Sequence, residues 1–202
     1  MSNNIRKKLV ALESEEIDDS RKQLLEPLAQ YISQKLKDGE VPKLNFICTH
    51  NSRRSQLAQV MAQIAALHFG IEIKCYSGGT EATAFNHNAI AAISNFGFYI
   101  EKSEGDNPMV LVHYNEQNPI KCFSKVYNSN ANPQSDFAAV MTCSDADENC
   151  PVVNGADARF SLKYNDPKAS DGTGNETHVY GERLNQIATE MLFLFQKINF
   201  EF

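Results

Sequence analysis

A cysteine and an arginine six positions apart stand out in the stretch CTHNSRRS, where Cys48 follows the apolar run LNFI and Arg54 precedes a helix-like run. In a tight turn between a strand and a helix, the backbone N–H groups of the turn and of the helix N-terminus point at one spot. The Arg54 guanidinium adds a planar fork that suits a tetrahedral oxyanion. We therefore expect an anion-binding loop made of Thr49, His50, Asn51, Ser52, Arg53 and Arg54.

The same field of N–H groups and positive charge stabilises a thiolate, so Cys48 is expected to be a nucleophile at neutral pH. Ser55 can donate a hydrogen bond to its sulfur. The side chain of Asn51 can hold the loop backbone, and asparagine tolerates the left-handed dihedral angles that such loops need. A buried cysteine at the end of a strand is commonly inert packing. The strand, polar turn and helix around Cys48 favour the anion loop over that alternative.

A second pair of cysteines lies in AAVMTCSDADENCPVV, where Cys150 comes seven positions after Cys143. Structural zinc ligands usually lie closer together and have further Cys or His partners, so zinc is not favoured. If SDADEN is helical, the two Cα atoms lie ~10 Å apart. A disulfide needs Cα atoms within about 7 Å, so it would form only if this segment unwound. The pair is a candidate redox switch, and two isolated buried thiols are the alternative.

Strands that alternate with helices must position these groups. LNFIC, IEIKCYS and FAAVMTC have the pattern of buried strands, and QLAQVMAQIAALHFG and residues 86–95 have that of helices. This order predicts an α/β fold with a parallel sheet. Residues 101–135 interrupt it with MVLVHY and IKCFSKVY, joined by NEQNP, which predicts an inserted β-hairpin. After ARFSLKY, in a loop-rich stretch, we expect a flexible connector, NDPKASDGTGNE, and a packed helix over residues 180–197.

Residues 1–40 are predicted to form a helical arm, and residues 41–202 a single α/β domain. Apolar residues of the arm follow helical spacing up to Leu36, and Pro27 fits the first turn of a helix that ends near Lys37, with a separate helical piece before it. The arm is expected to cover the main domain with its apolar face. A dimer contact is the alternative.

Composition excludes several classes of protein. The chain has 202 residues, of which 42% are hydrophobic and 22% charged, as in a soluble globular protein. Its net charge of −6 argues against a nucleic-acid partner. No apolar run reaches the ~20 residues that span a bilayer, and no signal peptide is evident. We expect a reducing cytoplasm, in which five cysteines do not form a structural disulfide framework.

The stretch LNFICTHNSRRSQLAQ resembles the phosphate-binding loop of the low-molecular-weight protein tyrosine phosphatases and of the thioredoxin-coupled arsenate reductases, which share that fold. YSGGTEA, FNHNAI, VMTCSDADENCP and NDP match further motifs in the same order. The resemblance covers about residues 43–198, apart from the insert, and implies a four-stranded parallel sheet flanked by helices. The string CSDADENCP resembles the reductases rather than the plain phosphatases.

The resemblance implies a reaction in which Cys48 attacks arsenate, Cys143 attacks the Cys48 sulfur, and Cys150 then attacks Cys143. Thioredoxin, or another dithiol donor, would finish the cycle. Asp166, which directly precedes Pro167 in the NDP motif, matches the family's general acid. No cofactor or metal is predicted. Cys75 and Cys122 match no motif and are interpreted as packing cysteines.

Two other functions remain open. A phosphotyrosine phosphatase would use Cys48, Arg54 and Asp166 through a phosphocysteine, with a cleft lined by tyrosines such as Tyr164, Tyr114 or Tyr127. The second of these functions is that of a redox-sensing or anion-binding regulatory module.

The loop departs from the family pattern at His50 and Arg53, which should make the pocket more cationic and more crowded. Gln59 stands where some arsenate reductases have a potassium-binding glutamate, which puts such a site in doubt. The hairpin is expected to roof the cleft in part, with Lys125 either solvated or facing the anion.

Overall fold

The computed structural model describes residues 1–115 and 118–199. Its helices are α1 (Asn3–Glu13), α2 (Asp19–Lys37), α3 (Arg54–His68), α4 (His87–Phe96), α5 (Ser144–Asn149) and α6 (Glu176–Asn199), with a 3₁₀ turn at Pro167–Ser170. Its strands are β1 (Lys43–Cys48), β2 (Lys74–Gly79), β3 (Tyr99–Lys102), β4 (Val110–His113), β5 (Ile120–Cys122), β6 (Phe137–Met141) and β7 (Ala156–Ser161). Among the described residues, no helix is both long enough and apolar enough to cross a bilayer.

Within the described residues, β2, β1, β6 and β7 form a central sheet in that order, and every neighbouring pair is parallel. The predicted α/β fold with a four-stranded parallel sheet is confirmed. The fourth strand, β7, lies partly in ARFSLKY, which the sequence placed in a loop-rich stretch. Its residues are only partly buried, so it lacks the continuous apolar run that marks β1 and β6.

The two faces of the sheet contact different sets of side chains. Along β6, Ala138 and Val140 belong to the main core, whereas Phe137 and Met141 belong to a smaller cluster that also contains Cys48. Alternate residues of a strand point to opposite faces, which explains the division. The main core is closed by helices, and α6 packs against α1, α2, α3 and α4.

The predicted hairpin is present as the antiparallel pair β4–β5, and part of its connection lies outside the described residues. The sequence missed β3, which pairs antiparallel with β4 and makes this a three-stranded sheet. β3 is short and largely exposed, so it has no apolar alternation to reveal it.

The interpretation of Pro27 as a helix start is wrong, because Pro27 lies inside α2. An interior proline removes a backbone hydrogen bond and costs about 3 kcal/mol. The cost is offset by packing, since Leu25 and Leu28 on either side of Pro27 are fully buried. Burial in the main core, rather than local propensity, therefore keeps this helix continuous.

The last helix begins at Glu176, four residues before the predicted start. The predicted flexible connector before it contains the 3₁₀ turn, and Asp166 caps that turn by accepting a hydrogen bond from the Lys168 N–H at 3.0 Å. Asp171 at the end of the turn also bonds Tyr180 of α6. This segment is therefore tied to the rest of the molecule by specific contacts.

Candidate active site

Cys48 is the last residue of β1, and the loop from 49 to 53 leads directly into α3. Its side chain is only 3% exposed, and its sulfur lies 3.1 Å from the hydroxyl oxygen of Ser55. Cys48 pairs with Gly79 of the neighbouring strand. A Cβ on Gly79 would come within 2.6 Å of the Thr49 carbonyl oxygen, so the absence of a side chain there leaves room for the loop.

Asn51 organises the interior of this loop. It has the left-handed backbone conformation that the sequence predicts, with φ 46°. Its Oδ1 accepts a hydrogen bond from the backbone N–H of Lys125 at 3.0 Å, and this fixes the orientation of the amide. Its Nδ2 then donates to the Ser55 hydroxyl at 2.8 Å. Because the Ser55 oxygen accepts this bond, the Ser55 proton is free to be donated to the Cys48 sulfur.

Donors for an anion remain available around the loop. Arg53 stands at the N-cap position of α3 and gives no side-chain hydrogen bond to the first turn, so the helix begins with N–H groups that no side chain caps. Nε of Arg54 is buried and has no hydrogen-bond partner among the described residues. Such unsatisfied N–H groups at a helix N-terminus favour a bound oxyanion.

Asp166 is brought to Arg54 although the two residues are far apart in the chain. Nη2 of Arg54 lies 2.6 Å from the Asp166 carboxylate, and Nη1 donates to the Tyr164 carbonyl at 3.2 Å. The guanidinium is thus oriented by the segment that carries the candidate acid. This contact places Asp166 at the edge of the loop.

The contacts of Arg53 and His50 argue against a more cationic pocket, and the expectation of a more crowded one stays a prediction. Arg53 donates to the Tyr180 hydroxyl and to the Asp171 carboxylate, each at 2.7 Å, so its charge is paired away from the loop interior. His50 is half-exposed and lies 3.6 Å from the Glu81 carboxylate. Ser52 donates to the carbonyl of Ala84 at 2.7 Å, which anchors the outer side of the loop.

Cys143 lies beside the loop. Its sulfur is 3.5 Å from the Thr49 hydroxyl oxygen, its side chain is fully buried, and it shares the smaller cluster with Cys48 and Met141. It is also the N-cap of α5, where the sulfur accepts a hydrogen bond from the Ala146 N–H at 3.4 Å.

Cys150 lies at the opposite end of α5 from Cys143 and is partly exposed. The intervening segment is helical, as the argument from spacing supposed. Nε of Arg159 donates to the Cys150 carbonyl at 3.1 Å. A bond between the two sulfurs would therefore require this helix to unwind.

Comparison with known proteins supports the resemblance carried by the loop. The family model for low molecular weight phosphotyrosine protein phosphatase matches residues 43–104. Arsenate reductase 2 of Staphylococcus epidermidis is 32% identical over 122 residues, which cover 60% of this chain and 76% of that protein. The chain belongs to the arsenate reductase and low-molecular-weight phosphatase family.

Two further comparisons agree. The arsenate reductase of Bacillus subtilis is 28% identical over 139 residues, covering 69% of this chain and 84% of that protein. A low molecular weight protein tyrosine phosphatase from T. tengcongensis has a similar fold, with a TM-score of 0.55 and 15% identity over 77% of this chain and 99% of that one. Relatives of both kinds are enzymes, so the prediction that this chain is an enzyme of the family is confirmed.

The two remaining cysteines of this family member lie away from the loop. Burial raises the pKa of Cys122 to about 12 and also raises the pKa of Cys75. Neither thiol ionises near neutral pH, so both are poor nucleophiles. Their interpretation as packing cysteines agrees with these surroundings.

The insert supports the loop in a way that the sequence did not reveal. The Ser124 hydroxyl donates to the His50 carbonyl at 2.8 Å, and the backbone of Lys125 holds Asn51. The Lys125 side chain is buried, so the interpretation of it as solvated is wrong. The alternative, that it faces the anion, stays a prediction. The sequence pattern around Cys122, Ser124 and Val126 did not indicate that this segment contacts the loop.

Of the three tyrosines proposed for a phosphatase cleft, only Tyr127 packs against the smaller cluster that contains Cys48, and the side chains of Tyr164 and Tyr114 make other contacts. Tyr164 is buried and donates its hydroxyl to Glu190 at 2.8 Å. Tyr114 lines a separate cavity, and Tyr127 is partly buried against the smaller cluster. Gln59, at the position of the potassium-binding glutamate, accepts a hydrogen bond from Ser77 at 2.6 Å and supplies no charge to bind a cation. No group of three or more metal-ligating side chains occurs in the described residues.

Proposed function

We propose that this protein is a cysteine-dependent arsenate reductase in which Cys48 is the nucleophile and Cys143 and Cys150 form the disulfide relay. The proposal rests on the position of Cys143, whose buried sulfur borders the anion loop at Thr49. A phosphatase reaction needs no second thiol there. The 32% identity to an arsenate reductase supports the same choice.

In the first step, the arsenate oxygens bind the N–H groups of the loop, the first turn of α3 and Arg54. The Cys48 thiolate, stabilised by the Ser55 proton, attacks arsenic and forms a sulfur–arsenic bond. One arsenate oxygen leaves as water after it has received protons, and Asp166 is the group placed to donate one of them. Arsenic remains in the oxidised state after this step.

The second step transfers two electrons. The Cys143 thiolate attacks the Cys48 sulfur, the sulfur–sulfur bond forms, and the sulfur–arsenic bond breaks with its electron pair going to arsenic. Arsenite leaves, and the two thiols have been oxidised to a disulfide. Cys150 then attacks Cys143 as α5 unwinds, which releases Cys48 as a thiolate and moves the disulfide to Cys143 and Cys150.

A dithiol donor must reduce this last disulfide, and thioredoxin is the donor that we propose. Cys150 is the partly exposed member of the pair, so an external thiolate can reach it. The cycle needs a reducing compartment, and we place the protein in the cytoplasm on that ground.

Phosphotyrosine hydrolysis is the second candidate. It is favoured by the match of residues 43–104 to the phosphatase family model. The same loop would form a phosphocysteine on Cys48, and Asp166 would protonate the leaving phenolic oxygen. Cys143 and Cys150 would then only protect Cys48 from oxidation.

Replacement of Cys143 distinguishes the two reactions. We expect Cys143→Ser to abolish arsenate-dependent NADPH oxidation, measured with thioredoxin and thioredoxin reductase, because the serine oxygen cannot form the disulfide. Hydrolysis of an aryl phosphate by the same preparation should change little. Cys75→Ala, which removes a thiol far from the loop, is the control and should leave both rates unchanged.

Arsenate turnover that survives Cys143→Ser would contradict the relay. A wild-type protein that cleaves aryl phosphate but does not reduce arsenate would favour the phosphatase. Binding of phosphate with neither reaction would indicate the regulatory module.

A further inference from the structure

A cavity of about 370 Å³ lies beside the three-stranded sheet, and its volume suits a small organic molecule. Neither Cys48 nor Arg54 lines it. Lysines and aromatic rings contribute much of its wall: Lys74, Lys121, Lys125, Tyr76, Tyr114 and Phe123.

The ammonium of Lys125 is the unusual group in this cavity. Only 6% of the Lys125 residue is exposed, and burial lowers its pKa to about 8. Its Nζ donates to the Phe123 carbonyl at 3.4 Å and lies 4.6 Å from the centre of the Phe123 ring. One long hydrogen bond and one cation–π contact leave most of its donor capacity unused.

No carboxylate lines this cavity within residues 1–115 and 118–199. An ammonium that is buried without a carboxylate partner from those residues is costly, and a bound anion would compensate it. The lysines at 74 and 121 are exposed and lie at the rim, where they attract negative charge from solvent.

The walls define the rest of the ligand. Tyr76, Tyr114 and Phe123 offer ring faces and edges, which pack well against another aromatic ring. The single buried positive charge matches one negative charge in the buried part of the ligand. A planar aromatic carboxylate combines both properties.

We propose that this cavity is a second ligand site, which binds a small aromatic monocarboxylate with its carboxylate on Lys125 and its ring against Tyr114 and Phe123. The site is separate from the catalytic loop. One connection to that loop is the Lys125 backbone, whose N–H donates to Asn51. Binding therefore does not depend on which reaction Cys48 performs.

Calorimetric titration of the full chain with 4-hydroxyphenylacetate tests this site. We expect binding that saturating inorganic phosphate does not displace, because phosphate occupies the catalytic loop. Lys125→Met should weaken the affinity at least tenfold, since the charged hydrogen bond is lost. Lys102→Met, on β3 of the same small sheet, is the control and should bind normally. The uncharged amide of the probe should also bind at least tenfold more weakly.

A second measurement is independent of whether Lys125→Met folds. Nuclear Overhauser contacts between the probe ring and the rings of Tyr114 and Phe123 are expected in the wild-type protein. Displacement of the probe by phosphate, equal affinity for Lys125→Met, or no binding to the wild type at millimolar concentration would each overturn the proposal.

Discussion

The sulfur of Cys48 depends on a short chain of hydrogen bonds that begins outside the loop. The Lys125 N–H holds Oδ1 of Asn51, Nδ2 of Asn51 holds the Ser55 oxygen, and the Ser55 proton is directed to the sulfur. Each link fixes the donor direction of the next one. The Cys48 sulfur is therefore held by neutral hydrogen-bonding groups of the loop and of the insert.

Replacement of Asn51 should separate the role of its side-chain hydrogen bonds from the role of its left-handed backbone conformation. Asn51→Gly keeps the left-handed backbone but loses all three side-chain hydrogen bonds, to Ser55, Lys125 and Gln56, so we expect kcat to fall at least tenfold while the fold is retained. Asn51→Ala also strains the backbone at φ 46° and should lower the free energy of unfolding by a further ~1 kcal/mol. Steady-state rates and urea unfolding measure the two effects. Wild-type kcat for Asn51→Gly would contradict the positioning role.

Lys125 makes stability depend on pH. Burial lowers its pKa from 10.5 to about 8, so the unfolded chain binds more protons between those values, and stability rises as pH increases through that window. Below pH 8, Lys125 is charged in the folded protein, so the full free-energy cost of burying that charge is present. We expect Lys125→Met to be more stable than the wild type by up to about 3 kcal/mol at pH 7, with a smaller difference at pH 10.

Urea unfolding of both proteins at the two pH values measures this difference. Lys102→Met removes an exposed lysine from the same small sheet, and its difference in stability from the wild type should be the same at both pH values. A wild-type protein as stable as Lys125→Met at pH 7 would show that the buried charge is compensated.

At the scale of elements, α5 separates the two cysteines of the proposed relay and is attached to β7 by side-chain contacts. Asp147 in α5 accepts a hydrogen bond from Ser161 at 2.8 Å and pairs with Arg159 at 2.7 Å and Lys163 at 3.2 Å. Partial burial opposes ionisation of Asp147, but these hydrogen bonds and charges outweigh it and lower its pKa. These contacts of the Asp147 carboxylate stabilise the folded state at pH values above its ordinary pKa of 3.8. The stabilisation is lost as the pH falls through the lowered pKa, so it is complete at neutral pH.

Loss of the Asp147 contacts that hold α5 should therefore accelerate formation of the disulfide between Cys143 and Cys150. We expect Asp147→Asn to form the Cys143–Cys150 bond roughly tenfold faster under a mild thiol oxidant, because charged hydrogen bonds worth about 1–2 kcal/mol no longer hold the helix. Mass spectrometry of quenched samples measures the rate. Asp145→Asn, an exposed change in the same helix, is the control. Equal rates for the two variants would show that α5 opens without breaking the Asp147 contacts.

At the scale of the whole molecule, the first two helices belong to the main core. Leu9 of α1 and Leu28 of α2 are buried in the same cluster as Leu44 of β1. Arg21 of α2 forms two hydrogen bonds with the buried carboxylate of Glu190 in α6. The division at residue 40 stays a prediction from the sequence.

Unfolding experiments test whether the arm, residues 1–40, unfolds independently of the rest of the chain. We expect Leu9→Ala to lower the free energy of unfolding by about 2–5 kcal/mol and to keep a single transition, because its side chain leaves a cavity in the shared core. Val10→Ala changes an exposed neighbour in the same helix and should cost less than about 0.5 kcal/mol. Two separate transitions, with only the first one shifted, would show that the arm unfolds by itself.

The amino-acid sequence by itself determined the strand–turn–helix unit of the candidate anion loop, because its parts are neighbours along the chain. Cys48, Arg54 and Ser55 lie within one strand–turn–helix unit, and the left-handed Asn51 follows from the same local geometry. The parallel sheet was likewise predictable from continuous apolar strands such as β1 and β6. Local pattern and backbone geometry are sufficient for such features.

Only the tertiary structure decided which distant groups meet this loop. Asp166 reaches Arg54, Asp171 pairs with Arg53, and the backbone of Lys125 holds Asn51, in each case across at least 74 positions. Pro27 remains inside a helix because side chains from other elements bury its neighbours. Contacts of this kind depend on the path of the whole chain and on the balance between desolvation and pairing, and no local pattern of residues encodes them.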